Sequence, residues 1–322
     1  MKIISQLTRG GADKLQLIRS EKNSGTCAVP RNIGLRFAIG EYIYFMDSDD
    51  AITPTAFEEL YPIAKEFDAD VLYGEKYYNI NIGEKFTTDK TKLEKNIFCG
   101  GNGKANYEFV DKPKLISENI FERIRDFLMG KYWVTCWNYL IRRKLISNHN
   151  IRFPEIRYGE DNFWDFFIIC LSKNLVRVPN ITYIYRRRPH SLGSDRSLEI
   201  DLRRGTDHFF QGVAAINKFA EKFSFLREHP DVMYALFDFW ARAQFGFIQS
   251  LYAQIPTWQL DFLIKHELEK VEDKTALTAF IFNRMNIFNL QLNQQSAIIN
   301  QMNAYIQQQN QVIQQLQNQL KK

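Results

Sequence analysis

Three aspartates lie within four residues directly after an apolar run of the sequence. Asp47, Asp49 and Asp50 follow residues 41–46, which have the length and composition of a buried strand. Carboxylates this close repel one another unless a cation neutralises them, and oxygen ligands of this kind suit Mg²⁺ or Mn²⁺. The group therefore points to a divalent-metal site, and an acidic turn that caps the following helix is the alternative.

A strand-helix-strand alternation positions this acidic group. Residues 15–19 and 41–46 have the composition of strands, and the sequence between them predicts a helix over 30–39. A helix over 54–67 and a strand over 69–73 follow. This alternation predicts an α/β fold with a mostly parallel sheet. Because ligands of such sheets bind at the carboxyl ends of strands, the aspartates are well placed for a site.

The second half of the chain is predicted to be mainly helical. Residues 160–171 read as a buried helix, 181–186 as a strand and 197–272 as a helical region rich in Phe and Trp. Between Leu292 and Leu320, apolar residues alternate steps of three and four among Gln and Asn, which predicts a coiled-coil tail that joins copies of the chain. A disordered polar tail is the alternative. The domains predicted from these patterns are 1–195, 196–285 and 286–322.

Composition narrows the class of protein. The 42 Lys and Arg against 37 Asp and Glu give a net charge of +5 over 322 residues, which argues against a nucleic-acid binder and leaves peripheral membrane contact open. The four cysteines are widely spaced and no secretory signal is evident, so we expect a cytoplasmic protein, working there or at the inner face of the membrane. No apolar run reaches the roughly 20 residues that a membrane span needs.

The stretch from Asn23 to Asp50 combines several short patterns. It reads NSGTCAVPRNIGLRFAIGEYIYFMDSDD and contains N-x-G, A-x-x-R-N-x-G, A-x-G-E-Y-I and D-x-D-D in this order. In this spacing the stretch resembles the family 2 glycosyltransferases, which are inverting enzymes of GT-A fold. The similarity extends over about residues 3 to 195, and its later elements are Cys136–Leu140 with Arg142 and Arg143, Phe153, Gly159-Glu160-Asp161, Tyr183–Arg186 and Ser191.

The resemblance implies a role for three carboxylates. Asp47 and Asp49 would bind the ribose and the metal ion around the donor diphosphate, and Asp49 would be the firmer metal ligand. Asp161 would be the general base that takes the proton from the acceptor hydroxyl. Without the upstream patterns, a carboxylate that caps the helix would be an equal interpretation of Asp161.

The resemblance also assigns basic residues to the donor. Arg31 and Asn32 would lie near the nucleotide base, although an ordinary exposed helix start explains them almost as well. Arg186 and Arg188 belong to a basic run that continues to His190, and guanidinium groups suit the oxygens of a diphosphate. A solvated charged loop is the alternative for each of them. Trp137 would shape the acceptor side or pack in the core, and the core is the safer interpretation.

We therefore expect inverting transfer of a sugar from a nucleotide-sugar, a UDP-sugar in our prediction, to a glycan or lipid-linked acceptor, with Mg²⁺ or Mn²⁺ as cofactor. This would serve surface polysaccharide or glycan synthesis. Compared with the family, the sequence begins inside the helix that follows the first base-binding turn, so the first strands would be missing. A non-catalytic remnant or oligomeric scaffold is the alternative, and a metal-dependent phosphoesterase is disfavoured because its additional His and Asp ligands are not evident.

Overall fold

A computed structural model divides the chain into two compact units, Met1–Asp195 and Arg196–Lys322. The side chains of residues 243–246 and 249 are not described. The residues that the structure describes are 16–99, 108–189, 197–251, 254–269, 271–272, 277–278, 281, 285, 293–309 and 311.

Helices and strands alternate along the described part of the first unit. The strands are β1 (Tyr42–Tyr44), β2 (Ala51–Ile52), β3 (Val71–Gly74), β4 (Lys76–Ile80), β5 (Ile97–Cys99), β6 (Lys114–Leu115), β7 (Tyr139–Arg142), β8 (Leu175–Val178) and β9 (Tyr183–Arg186). The α-helices are α1 (Ala28–Phe37), α2 (Ala56–Glu66), α3 (Lys90–Leu93), α4 (Ile120–Leu128), α5 (Arg143–Asn148) and α6 (Glu160–Leu171). Short 3₁₀ turns occupy Glu94–Asn96 and Cys136–Asn138. The α/β class expected from the sequence is therefore confirmed.

The strands form two mixed sheets, with the orders β1-β7-β3-β8-β6 and β2-β9-β4-β5. Among the described strands, β3 pairs with β8 and β4 with β9 in parallel, and the other pairs are antiparallel. The expectation of a mostly parallel sheet was thus wrong. The reason is β7, which enters the sheet antiparallel between β1 and β3 and places Leu140 opposite both Tyr44 and Leu72.

The strands differ from the sequence prediction at several places, which include residues 15–19 and β8. Residues 15–19 were expected to form a strand, but the described residues 16–20 have no regular structure. In contrast, β8 was not predicted, although it pairs with β3 on one side and β6 on the other. Its sequence, LVRV, is too short to show a clear period and follows the apolar helix α6 directly.

The core of the first sheet is built between α2 and the strands. Leu60 and Ala64 of α2 pack with Leu72 of β3, Leu140 of β7 and Val176 of β8, and all five side chains are buried. These contacts bury apolar surface on the face of the sheet that α2 covers, which is the main source of its stability. They hold β1 and the residues that follow it in a fixed position through the pairing of β1 with β7.

Helix α6 lies deep in the first unit, with every side chain from Phe163 to Cys170 buried. Its carboxyl end is closed by Arg123 of α4, which is itself almost completely buried. The guanidinium donates hydrogen bonds to the main-chain oxygens of Ile169 (3.2 Å) and Lys173 (2.7 Å), and it also contacts the oxygen of Ser172. A cation in this place satisfies helix-end carbonyls and suits the negative end of the helix dipole.

We expect Arg123→Met to lower the free energy of unfolding by about 3 kcal/mol, because it leaves several buried carbonyl groups without donors. Urea denaturation measures the loss. The matched control is Arg125→Met on the same helix, since Arg125 is exposed and pairs only with its neighbour Asp126 among the contacts described; it should change stability by less than about 0.5 kcal/mol. Equal effects of the two changes would contradict this function of Arg123.

The second unit is helical over its described residues. Its α-helices are α7 (Leu198–Lys222), α8 (Ser224–Glu228), α9 (Pro230–Leu251) and α10 (Thr257–Leu268). Helices α7 and α9 approach closely at Gly205, where a Cβ atom would lie 2.3 Å from Cγ1 of Ile248. Residues 293–309 are helical and exposed, and the coiled coil expected over 292–320 stays a prediction. None of the described helices is long and apolar enough to span a membrane.

Candidate active site

Arg31 of α1 is the centre of a cluster of charged side chains in the first unit. Its Nη1 donates to Oε1 of Glu160 (2.7 Å) and to Oδ1 of Asp161 (2.6 Å), and its Nη2 donates to Oδ1 of Asp47 (2.9 Å). Its side chain is only 12% exposed, so these ion pairs are little screened by water. One guanidinium therefore joins the acidic turn after β1 to the amino end of α6.

The start of α1 is fixed by the residues that precede α6. The hydroxyl of Thr26 accepts a hydrogen bond from the main-chain N–H of Ala28 (3.2 Å) and donates one to the oxygen of Ile156 (2.7 Å). The Asn32 side-chain amide donates to the oxygen of Phe153 and accepts from its N–H, both at 2.9 Å. These contacts hold Arg31 opposite the carboxylates of α6.

Asn32 was predicted to lie near the nucleotide base. The structure instead uses both polar ends of its amide for the main chain of Phe153, and the residue is only 6% exposed. We therefore assign it to the packing between α1 and the segment before α6.

The amino end of α6 places two carboxylates in one turn. Gly159 precedes the helix with φ of 74°, a left-handed conformation that favours glycine. Glu160 and Asp161 follow in the first turn, where the helix dipole stabilises negative charge. Beneath them the rings of Phe153 and Trp164 stack at a centroid distance of 4.0 Å, and Phe45 contacts both edge-on. This aromatic group fixes the direction in which the helix begins.

The acidic turn after β1 has one structural and two available carboxylates. Asp50 accepts hydrogen bonds from the Tyr183 hydroxyl (2.6 Å) and from the N–H of Arg186 (2.9 Å), which ties the turn to β9. Burial raises the pKa of Asp50 to about 6, although these two hydrogen bonds oppose the change. The side chains of Asp47 and Asp49 remain partly exposed. The turn does not cap α2, whose N-cap residue is Thr55.

The basic run after β9 lies beside this turn. Arg188 forms an ion pair with Asp49, and Arg186 stacks over the ring of Phe86 at 4.7 Å. Arg187 turns instead towards β4, where its Nε donates to the side chain of Asn79 at 3.3 Å. The guanidinium of Arg188 and the main-chain N–H of Arg186 thus contact acidic residues of the turn, whereas the guanidinium of Arg186 lies against Phe86. The prediction also named His190 and Ser191, which lie outside the described residues.

Burial and charge change the pKa values of the cluster. Burial raises the pKa of Asp161 and the charge of Asp47 adds to this effect, whereas Arg31 and hydrogen bonds from Cys136 oppose it. Burial and the charge of Asp161 raise the pKa of Glu160 to about 7, against the pull of Arg31. Although burial alone lowers the pKa of Arg31, its acidic neighbours raise it above its ordinary value. The cluster is therefore crowded with acids that share one cation.

The acidic turn fits a divalent cation only in part. No group of three or more potential ligands converges within the described residues. This does not exclude Mg²⁺ or Mn²⁺, because Mg²⁺ is commonly held by one or two carboxylates together with substrate phosphates and water. The partly exposed side chains of Asp47 and Asp49 could supply those carboxylates.

The structure clarifies two residues that the sequence analysis named and reveals a third that it missed. Trp137 is buried and stacks on Tyr183 at 4.2 Å, so it belongs to the core, which was the safer of its two interpretations. Tyr183 was named only as part of the segment Tyr183–Arg186, and its hydrogen bond to Asp50 is visible only in the structure. Asp165 follows Asp161 by four residues in an otherwise apolar helix, and this spacing was the signal that could have revealed it.

Comparison with known proteins finds similarity to glycosyltransferases. The model of glycosyl transferase family 2 matches residues 2–145. The poly(ribitol-phosphate) beta-N-acetylglucosaminyltransferase TarP of Staphylococcus aureus is 31% identical over 155 residues, which are 48% of this chain and 39% of TarP. The cholesterol galactosyltransferase of Borreliella burgdorferi is 30% identical over 190 residues, 58% of this chain and 49% of that protein. The chain thus spans less than half of the length of either relative.

Among solved structures, TarS 1–349 of S. aureus in complex with UDP-GlcNAc superimposes with a TM-score of 0.47 and 16% identity, over 89% of this chain and 79% of that one. The fold is mixed α/β, and the chain is similar to glycosyl transferase family 2 over its residues 2–145, which are slightly less than half of its length.

Proposed function

We propose that the chain transfers a sugar from a UDP-sugar to an acceptor hydroxyl with inversion of configuration. The observation that carries the proposal is the contact of one guanidinium, Arg31, with both Asp47 and Asp161. It brings the residue expected to serve the donor and the residue expected to serve the acceptor to one place. An inverting transfer needs these two functions on opposite sides of one sugar.

Asp161 would act as the general base. The acceptor oxygen would attack the anomeric carbon while its proton passes to a carboxylate oxygen of Asp161, and the bond to the leaving UDP would break. A base works best when its pKa is raised towards the working pH but it remains ionised. Burial raises the pKa of Asp161, and the ion pair with Arg31 favours the ionised form. Both conditions are met at the same side chain.

The other polar residues would hold the donor. Asp47 and Asp49, at the end of β1, would face the ribose and the diphosphate, with Asp49 as the firmer metal ligand. Arg186 and Arg188 would contact phosphate oxygens, which guanidinium groups bind well. Mg²⁺ or Mn²⁺, when bound, would neutralise the charge that develops on the departing diphosphate. Arg188 forms an ion pair with Asp49, and phosphate oxygens would compete with that carboxylate for the guanidinium.

The relatives suggest which donors and acceptors to examine. Their names refer to transfer of N-acetylglucosamine to a poly(ribitol-phosphate) and of galactose to cholesterol. We propose a glycan or lipid-linked acceptor for this chain, within synthesis of a surface polysaccharide or related glycan. A cytoplasmic location, contact with the inner membrane surface and oligomerisation through residues 292–320 also stay predictions.

We expect UDP to bind to the full chain in the presence of Mn²⁺, and Asp49→Ala to weaken this binding at least about tenfold, because the variant loses a carboxylate ligand of the metal. Calorimetric titration of UDP with and without Mn²⁺ measures both effects. Asp111→Ala is the matched control, since Asp111 is an exposed aspartate of the same unit, and it should bind UDP normally.

The result also decides between an enzyme and a non-catalytic scaffold. Metal-dependent binding that Asp49→Ala removes would justify assays of UDP release from UDP-GlcNAc and UDP-galactose. A folded wild-type chain that fails to bind UDP would overturn the proposal and favour the scaffold.

A further inference from the structure

A third acid of α6, Asp165, lies one helical turn deeper than Asp161. Residues four apart occupy the same face of a helix, with their Cβ atoms about 5–6 Å apart. Asp165 is only 1% exposed, and neither of its carboxyl oxygens has a hydrogen-bond partner of normal geometry among the described residues. Buried polar groups without partners are rare, and each one calls for an explanation.

The polar groups nearest to Asp165 belong to the segment that enters β7. The main-chain N–H of Thr135 is close enough to act on the carboxyl group, and the Thr135 hydroxyl is also buried without a partner among the described residues. The next residue, Cys136, lies close enough to Asp161 for its thiol and its main-chain N–H to lower the pKa of that carboxyl group. Thr135 and Cys136 therefore lie along α6, with one facing Asp165 and the other facing Asp161.

The charges around Asp165 disfavour its ionised form. Asp161 and Glu160 face it from its own helix, Arg31 from α1, and Thr135 from the segment before β7. Arg31 is already shared by three carboxylates, and no described cation forms an ion pair with Asp165. Burial, and then the charge of Asp161, raise the pKa of Asp165 well above its ordinary value.

We propose that Asp165 is a positioning residue for Asp161: an uncharged buried acid that lies against Thr135, the neighbour of Cys136, and keeps a second negative charge away from the general base. The proposal rests on the proposed function of Asp161. If Asp165 were ionised, its charge would raise the pKa of Asp161 by on the order of one to two at this separation. Asp161 would then already carry a proton near neutral pH and could not act as the base. If Asp165 were apolar, the polar contact with Thr135 would be lost, and we expect the adjacent Cys136 to favour the ionised form of Asp161 less strongly.

The first test is independent of enzymatic activity. In the full chain labelled with ¹³C at aspartate carboxyl groups, the Asp161 signal is identified by its absence in Asp161→Asn, and its titration is followed by NMR. We expect Asp165→Asn, a neutral isostere, to leave the midpoint of Asp161 within about 0.3 pH units of the wild type, and Asp165→Leu to raise it by about half a unit or more. A decrease of one unit in Asp165→Asn would mean that Asp165 is charged and would overturn the proposal, as would an unchanged midpoint in Asp165→Leu.

Thermal unfolding tests the uncharged state even if Asp165→Leu does not fold. Because the pKa of Asp165 is raised on folding, its contribution to stability is complete below its unfolded pKa of about 4 and is lost as the pH rises towards its folded value. The asparagine variant has no such loss. The difference in melting temperature, Asp165→Asn minus wild type, should therefore increase by about 4 °C or more between pH 4 and pH 8.

Asp111→Asn, at an exposed aspartate, should show no such trend with pH. A constant difference between Asp165→Asn and the wild type would overturn the proposal. Failure of the proposed function would instead appear as absent UDP binding and absent UDP release in the wild type. The titrations and melting curves would still report the charge of Asp165 and its effect on the pKa of Asp161.

Discussion

Asp161→Asn is expected to lower the rate of UDP release from a productive UDP-sugar about 10³-fold, which is a typical contribution of a general base. Asparagine has nearly the same shape but cannot take the proton from the acceptor hydroxyl. The change should not destabilise the fold, because it removes one charge from a crowded group that includes Glu160 and Asp47. Measuring UDP release at saturating donor and acceptor gives the change in kcat.

Two comparisons separate a loss of the base from a loss of the site. UDP binding to Asp161→Asn should stay within about threefold of the wild type, since Asp161 serves the acceptor side in this mechanism. Asp111→Asn, at the exposed control position, should keep full activity. A variant Asp161→Asn that retains more than about a tenth of the wild-type rate would contradict the assignment of Asp161 as the base.

The elements that position the site could largely be predicted because their signals are local. The helices α1 and α6 and the strand β1 each show in a single window of sequence, as an apolar period or an apolar run bounded by turn residues. The orientation of β7 could not be predicted in the same way. It depends on which strands pair with the four-residue strand that follows the turn at Cys136–Asn138. The antiparallel pairing with β1 and β3 is set by tertiary contacts between segments that are distant in the sequence.

The site itself was only partly predictable, because residues of one type serve different purposes. Asp47, Asp49 and Asp50 are equivalent in sequence, yet Tyr183 and Arg186 use Asp50 to fix the turn. The sequence separation explains the limit: Tyr183 lies 133 residues from Asp50. No local pattern connects such positions, and the resemblance to a family placed the segments together without giving their contacts.

The same limit applies to Arg31 and Asn32. Both were predicted as donor contacts because they are neighbours in the A-x-x-R-N-x-G pattern. On a helix, neighbouring residues point about 100° apart, so one can face a site while the other faces the core. Arg31 donates a hydrogen bond to the carboxylate of Asp161, whereas the side-chain amide of Asn32 is hydrogen-bonded to the main chain of Phe153.

Arg31→Met should lower the free energy of unfolding by about 3 kcal/mol at pH 8, because it leaves buried acids without their shared cation. The Glu160 side chain is only 9% exposed, so water cannot replace the lost partner there. The partly exposed Asp47 should contribute little to the loss. Methionine preserves much of the apolar packing against Phe153, and urea denaturation measures the change in stability.

The pH dependence of this loss identifies its electrostatic origin. Without Arg31 the folded-state pKa values of Glu160 and Asp161 rise further, so the variant loses additional stability as the pH increases from 5 to 8, and the difference from the wild type should widen over that range. The double variant Arg31→Met with Glu160→Gln should recover about half of the loss, because one of the uncompensated buried acids becomes neutral. A loss independent of pH, with no recovery in the double variant, would mean that Arg31 stabilises the fold by packing on Phe153 and that the ion pairs contribute little.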